Sequence, residues 1–248
     1  MKFIHSRKFW IIFCLLALGV YLYFANSYIY WRIDKGNLPK IEHDQTVLIK
    51  SNVSSTITYV ALGDSLTYGT GAKKYEESFP FLLAQKISET RGTVALKNFA
   101  YQGATSNDLI ANELESATVS NPDIITILIG TNDIHNYVSA KKFFANYEKI
   151  LKTLTARTKA DIYVVGLPAI GVKTIYLPPF SWYFSYKINQ YNEVIKALAL
   201  DYGAVYVDSA FATKNWKAYD GNYSADLFHP SSAGYQIFSK IIYDRISR

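Results

Sequence analysis

Short apolar runs rich in β-branched residues alternate with longer amphipathic stretches from residue 57 to the end of the chain. The apolar runs are candidate strands, at residues 57–62, 93–99, 123–129, 161–166 and 204–208. Between and after them, apolar residues recur at three- and four-residue spacing, which predicts helices near 143–154, 188–198 and 235–242. Parallel strands need long crossover connections, and these are usually helical. The alternation therefore predicts a three-layer α/β/α domain with a five-stranded parallel sheet.

A separate apolar run precedes this domain. Residues 9–25 carry no charged or strongly polar side chain, and a helix continued to Trp31 is long enough for the ~30 Å hydrocarbon core of a bilayer. Lys2, Arg7 and Lys8 precede the run, so its N-terminal end should stay in the cytoplasm. We therefore expect one N-terminal transmembrane helix and a cell-membrane protein whose following domain is extracytoplasmic.

The resulting division of the chain has four parts. Residues 1–8 form a basic cytoplasmic N-terminus, 9–31 a transmembrane signal-anchor, 32–55 a linker and 56–248 the folded domain. A cleaved signal peptide is the alternative. It is disfavoured because Tyr23 would lie three residues before a cut after Ala25, where a small residue is usual.

The charge of the chain excludes one class of partner. The formal net charge is +6, but residues 1–32 hold four basic residues and no acidic ones, which leaves +2 for the rest. A nearly neutral body without a Lys/Arg cluster has no electrostatic surface for nucleic acid. The one cysteine, Cys14, lies in the apolar run and can form no internal disulfide.

Polar motifs follow the predicted strands at the points where they end. GDSLT (63–67) follows the first strand, NFAYQG (98–103) the second and GTND (130–133) the third, and DLFHP (226–230) lies beyond the fifth. The carboxyl ends of parallel strands meet at one edge of the sheet, where such folds bind ligands. We therefore expect these motifs to form one site.

These four blocks, in this order, resemble those of the GDSL, or SGNH, hydrolases, and the resemblance covers residues 57–248. It implies a flavodoxin-like fold of the SGNH hydrolase type and a serine esterase activity. By this resemblance Ser65 is the nucleophile, His229 the base and Asp226 the acid that orients it. Ser65, Gly103 and Asn132 would form the oxyanion hole.

The same roles follow from the chemistry of ester cleavage. A serine hydroxyl becomes a useful nucleophile when an imidazole takes its proton, and the imidazole needs an acceptor on its other nitrogen. Asp226 and His229 are spaced to supply both groups. The sequence contains no H-E-x-x-H, Walker A or G-x-S-x-G motif, so we expect neither a metal nor a cofactor.

Other residues near the motifs have weaker assignments. Asp64 and Asp133 are expected to bond backbone N–H groups, and His135 to be a surface histidine or one just behind the site. Pro178-Pro179 predicts that residues 175–184, almost wholly apolar, form a loop. This segment either fills the core or forms a hydrophobic lip that binds an acyl chain or touches the bilayer. Tyr101, Phe180 and Trp182 are the candidate substrate-binding residues.

The functional hypothesis is therefore a membrane-anchored serine esterase or acylhydrolase that works through an acyl-enzyme. Its substrate would be a small-molecule or lipid ester, or an O-acylated glycan. The alternatives are an envelope polysaccharide O-acetyl esterase, an O-acyltransferase in which another hydroxyl replaces water, and a non-catalytic envelope binding module.

Overall fold

The computed structural model describes residues 2–42, 45–169, 171 and 174–247, with side chains from Arg7 onward. A six-stranded sheet with the order β1-β3-β2-β4-β5-β6 lies at its centre. The strands are β1 Thr46–Ile49, β2 Thr56–Gly63, β3 Thr93–Asn98, β4 Ile124–Leu128, β5 Asp161–Val165 and β6 Val205–Val207.

All five predicted strands are confirmed, as β2 to β6, and they are mutually parallel. The sheet differs from the prediction by one strand, since β1 pairs antiparallel with β3 through the register Thr46↔Lys97. This strand lies in the segment expected to be a linker. Its four residues alternate between exposed and half-buried and are too few for a periodic pattern. Pairing with the edge of β3 therefore determines its structure.

Helices cover both faces of the sheet. Within the described residues they are α1 Lys2–Lys35, α2 Ser65–Tyr68, α3 Phe79–Arg91, α4 Ser106–Asn112, α5 Leu114–Val119, α6 Thr131–His135, α7 Ala140–Arg157, α8 Phe180–Asp201, α9 Ser209–Thr213 and α10 Ser232–Ile246. α3 packs against α10, whereas α7 packs against α4, α5 and α8. Because both faces are covered, all five residues of the central strand β4 are buried. The α/β/α prediction is confirmed.

The N-terminal helix α1 is longer than the predicted span. Its segment Arg7–Lys35 is long and apolar enough to cross a membrane, a property that signal sequences near an N-terminus share. Its last third packs on the domain, because Ala25 and Ile29 are buried there and Ile33 contacts the core. Residues 32–35, expected to belong to a linker, are therefore the end of this helix.

The prediction of a loop over residues 175–184 is wrong for its second half, because α8 begins at Phe180. Pro179 occupies the N-cap of α8, where its missing N–H breaks no helical hydrogen bond, so the helix starts directly after it. Some side chains of residues 175–184 are buried and others are exposed. Ile175, Tyr176 and Phe184 lie in the core, but Leu177 and Trp182 are exposed.

Candidate active site

Ser65 lies at the carboxyl end of β2, on the first turn of α2. Gly63 makes the sharp exit from the strand possible, because it has φ +151° and a Cβ there would collide with the carbonyl oxygen of Leu128. Asp64 is the N-cap of α2 and accepts a hydrogen bond from the backbone N–H of Leu66 at 3.0 Å. The turn leaves the half-buried Ser65 at the sheet edge where the motifs were expected to meet.

A continuous line of hydrogen bonds joins Ser65, His229 and Asp226. His229 Nε2 lies 3.0 Å from Ser65 Oγ, and His229 Nδ1 lies 2.6 Å from Asp226 Oδ2. The other carboxylate oxygen accepts from Ser224 Oγ at 2.7 Å and from the backbone N–H groups of Phe228 and His229, both at 2.9 Å. Four donors therefore hold the carboxylate in one orientation against the imidazole.

The surroundings of Asp226 favour its ionised form. Burial alone raises the pKa of this carboxyl, but the hydrogen bond and positive charge of His229, with the backbone N–H of Phe228 and the Ser224 hydroxyl, outweigh it. The pKa of Asp226 is therefore below its usual value. An ionised Asp226 fixes the proton of neutral His229 on Nδ1, so that Nε2 faces Ser65 as an acceptor.

Asn132 and Gly103 lie on neighbouring loops of the same edge. Asn132, on α6, donates from Nδ2 to the carbonyl of Ala104 at 2.9 Å, which ties it to the loop that carries Gly103. The second hydrogen of this amide remains for another acceptor. Gly103 is exposed, has φ +80° and has open space where a Cβ would be. A ligand can therefore approach its backbone closely.

Three buried carboxyl groups lie behind these loops. As predicted, Asp64 bonds a backbone N–H, and Asp133 accepts from the N–H of Ser106 at 2.8 Å. Burial raises the pKa of Asp64 to about 7 and also raises that of Asp133. Glu113 was not anticipated, yet it is buried and accepts from the N–H of Gly63 at 2.9 Å. No local pattern could have found this contact, because fifty residues separate its partners.

His135 is half-buried and lies among aromatic rings just behind the predicted triad, which is the second of its two expected positions. Its Nε2 is 2.8 Å from the hydroxyl of Tyr176, and its ring centroid lies 4.8 Å from Phe184 and 5.9 Å from Phe228. The ring of Phe228 in turn stands at 86° to that of His229, 4.9 Å away. Burial, with the charge of His229, lowers the pKa of His135 to about 4. His135 is therefore neutral at physiological pH.

The end of α1 reaches the same region, which the sequence did not indicate. The ring of Tyr30 lies 6.5 Å from that of His135. Gly36, directly after the helix, is packed so closely on Asp226 that a Cβ at Gly36 would lie 2.9 Å from Asp226 Cα and closer still to Asp226 Cβ. The residue that directly follows the membrane-spanning candidate is thus packed on the loop that carries Asp226 and His229.

The three candidate substrate-binding residues have different environments. Tyr101 is half-buried, and its hydroxyl accepts a hydrogen bond from Asn112 Nδ2 at 2.9 Å. Phe180 packs against the core, whereas Trp182 is 69% exposed on the first turn of α8. Within the part of the chain described, no group of three or more His, Cys, Asp and Glu side chains is arranged to hold a metal ion.

Comparisons with known proteins show the family and the fold of this chain. The sequence matches the GDSL-like Lipase/Acylhydrolase family over residues 61–237. An acetylxylan esterase from Geobacillus stearothermophilus is 27% identical over 199 residues, which are 72% of this chain and 89% of that protein. The crystal structure of a lipase/acylhydrolase from Enterococcus faecalis superposes with a TM-score of 0.62 at 19% identity, over 77% of this chain and 95% of that one. The crystal structure of TesA superposes with a TM-score of 0.63 at 20% identity, over 76% of this chain and 97% of that one.

Proposed function

Because this chain belongs to the GDSL-like lipase/acylhydrolase family and is a carboxylic ester hydrolase, we propose that it cleaves esters through an acyl-enzyme formed on Ser65. The observation that carries the proposal is the unbroken hydrogen-bonded line from Ser65 Oγ through His229 to the buried carboxylate of Asp226. Such a line lets a neutral imidazole activate a hydroxyl.

In the proposed reaction, Ser65 Oγ attacks the ester carbonyl while its proton passes to His229 Nε2. Asp226 stabilises the imidazolium, which then gives the proton to the departing alcohol. A water molecule, activated by His229 in the same way, attacks the acyl-enzyme and releases the acid. If a second alcohol replaces water at this step, the same site acts as an O-acyltransferase.

The backbone N–H groups of Ser65 and Gly103 and the side-chain amide of Asn132 are the proposed oxyanion hole. The carbonyl oxygen gains negative charge as the tetrahedral intermediate forms, and donors held in place stabilise that charge. The hydrogen bond from Asn132 to Ala104 supports this role, because it holds the amide while leaving one N–H to donate. Tyr101, Phe180 and Trp182 are proposed to contact the acyl or alcohol group.

We propose that α1 is an uncleaved anchor and that the catalytic domain faces outward. The buried positions of Ala25 and Ile29 support this proposal, because cleavage after Ala25 would separate residues that pack on the domain. The basic residues before the apolar run favour a cytoplasmic N-terminus.

A second candidate is the removal of acetyl groups from an envelope polysaccharide. The similarity to an acetylxylan esterase over 72% of the chain favours it. The two candidates share the triad chemistry and differ in the size of the acyl group and in the alcohol.

The decisive experiment is an ester panel on the full-length protein, with chains of increasing length and acetylated sugars. Ser65→Ala should reduce turnover by roughly 10⁴-fold or more, because triad members act as a unit. Ser139→Ala is the matched control, since the Ser139 hydroxyl caps α7 by accepting from the N–H of Lys142 and belongs to none of the four motifs. Equal turnover by the two variants would reject Ser65 as the nucleophile.

A further inference from the structure

An exposed apolar surface lies where α8 begins. Leu177, Trp182 and Tyr186 are 43%, 69% and 62% exposed, and we call them the outer apolar face. Trp182 and Tyr186 are four residues apart on the helix and so lie on one side of it. From residue 174 to residue 186 the sequence contains no charged side chain. A patch of this kind usually marks a binding surface.

The outer apolar face is attached to the membrane-spanning candidate. The hydroxyl of Tyr21 donates to the carbonyl of Pro178 at 2.6 Å. Leu177 also lines a groove of about 500 Å³ together with α1 residues that include Phe24, Tyr28 and Trp31. The face is therefore continuous with the exposed apolar surface of α1.

The length of α1 determines how deep this contact lies. A hydrocarbon core of ~30 Å takes about twenty helical residues, so a span that starts after Lys8 extends to about residue 28. Tyr21 lies within that span. The side chain of Tyr21 can extend its hydroxyl several ångströms toward the interface. The carbonyl of Pro178 accepts from this hydroxyl, so it must lie at the same depth in the membrane. Pro178 and its neighbours therefore lie just below the level where α1 leaves the bilayer.

We propose that the outer apolar face is immersed in the outer leaflet of the phospholipid bilayer that α1 crosses. The inference rests on the proposed anchor role of α1. Tyr and Trp are the side chains favoured at the boundary of hydrocarbon and head groups, and the face contains one of each. Pro179 has no N–H to leave unsatisfied there.

The charged side chains of α8 mark where the outer apolar face ends. Beyond Tyr186 the side chains on the solvent side of the helix include Lys187, Glu193 and Lys196, which belong in water. Leu200, near the far end, is 83% exposed but stands beside Asp201. Only the first two turns of α8 are therefore immersed.

The consequence concerns the substrate of the proposed esterase. Tyr176, next to Leu177, contacts Phe228 at 6.5 Å between ring centroids, and Phe228 contacts His229. The triad thus lies a short distance above the leaflet. Esters carried by lipids in that leaflet would reach Ser65 without leaving the membrane surface.

A fluorescent label tests the immersion directly. In the full-length chain with Cys14→Ser, a nitrobenzoxadiazole label is placed on Tyr186→Cys or, as the matched control, on Leu200→Cys. The two positions lie on the same helix, ~21 Å apart at 1.5 Å per residue. Each protein is placed in nanodiscs of phosphatidylcholine and phosphatidylglycerol, in which both membrane faces are open to water.

The label at 186 should emit at shorter wavelength, be quenched by doxyl lipids and react with dithionite about tenfold more slowly than the label at 200. Equal behaviour of the two labels would overturn the proposal. So would a label at 186 that is shielded from dithionite but not quenched by doxyl lipids, because that result indicates a protein partner or a second copy.

The test is independent of catalysis. Adding Ser65→Ala to each labelled chain should leave the quenching unchanged. If Tyr186→Cys keeps the turnover of acetate esters but shows no lipid contact, the immersion is wrong and the proposed esterase stands. If lipid contact is found and Ser65→Ala keeps full turnover, the immersion stands and the proposed role of Ser65 is wrong.

Discussion

Adding one methyl group at Gly36 should damage the triad without touching the substrate. An alanine Cβ at this position would lie 2.9 Å from Asp226 Cα and 3.0 Å from its nitrogen, with the Cβ of Asp226 nearer still. The φ angle of Gly36 is not positive, so alanine can adopt the backbone conformation. The clash with Asp226 is therefore the effect that Gly36→Ala measures.

The size of the effect follows from these distances. Carbon atoms prefer separations of ~3.5 to 4.0 Å, so Asp226 or the end of α1 must move by ~1 Å. The bond from His229 Nδ1 to Asp226 Oδ2 is 2.6 Å long, and such a shift exceeds the range of a good hydrogen bond. A misplacement of ~1 Å in a catalytic group can cost about 10²-fold in rate. We expect kcat to fall by about that factor, with KM little changed.

Gly19→Ala is the matched control, because Gly19 lies on α1, the helix that Gly36 directly follows, and a Cβ at position 19 would have no atom within 4 Å. It should keep wild-type kcat. Both variants are assayed as full-length protein on a short-chain ester, and their melting temperatures are compared. Equal kcat values for the two variants would refute the expectation that the packing of Gly36 holds Asp226 in its place beside His229.

Three further predictions concern the same site. Asp226→Asn keeps an oxygen for Ser224 and the backbone donors but cannot accept from His229 Nδ1–H, so kcat should fall by about 10⁴-fold while circular dichroism is unchanged. Asn132→Ala should lower kcat by ~10² to 10³-fold; an effect on KM alone would show that the amide binds substrate instead. For His135, the folded pKa of about 4 lies below the ordinary value of 6.5, so the unfolded chain binds the proton more readily between these pH values. Falling pH across this window should therefore destabilise the wild type by about 3 kcal/mol relative to His135→Gln, as measured by denaturant unfolding at each pH; parallel curves would show that His135 is not buried as a neutral group.

Local sequence patterns were enough to predict the sheet and the positions of the motifs. Strands covered on both faces must be apolar throughout, so β4 and its neighbours could be found to within a residue or two from their composition. The carboxyl ends of parallel strands converge, which brings Ser65 and His229 together across 164 positions of sequence. For the same reason, the order of the motifs indicated which residues would meet.

Structure that depends on a single long-range contact could not be predicted in this way. β1 has no periodicity of its own and exists because the edge of β3 accepts it. The start of α8 directly after Pro179 depends on how the preceding loop packs, since a proline pair alone indicates only a break.

The sequence alone therefore determined a parallel α/β domain, an apolar N-terminal helix and a set of candidate residues for ester cleavage, because periodicity and motif order are local properties of the chain. The tertiary structure alone decided that Gly36 packs on Asp226, that aromatic rings enclose His135 and that Tyr21 bonds Pro178. Each of these contacts joins residues with no shared local pattern. The contact of Gly36 forms because the last third of α1 buries Ala25 and Ile29 against the domain, which brings the residue after the helix onto Asp226.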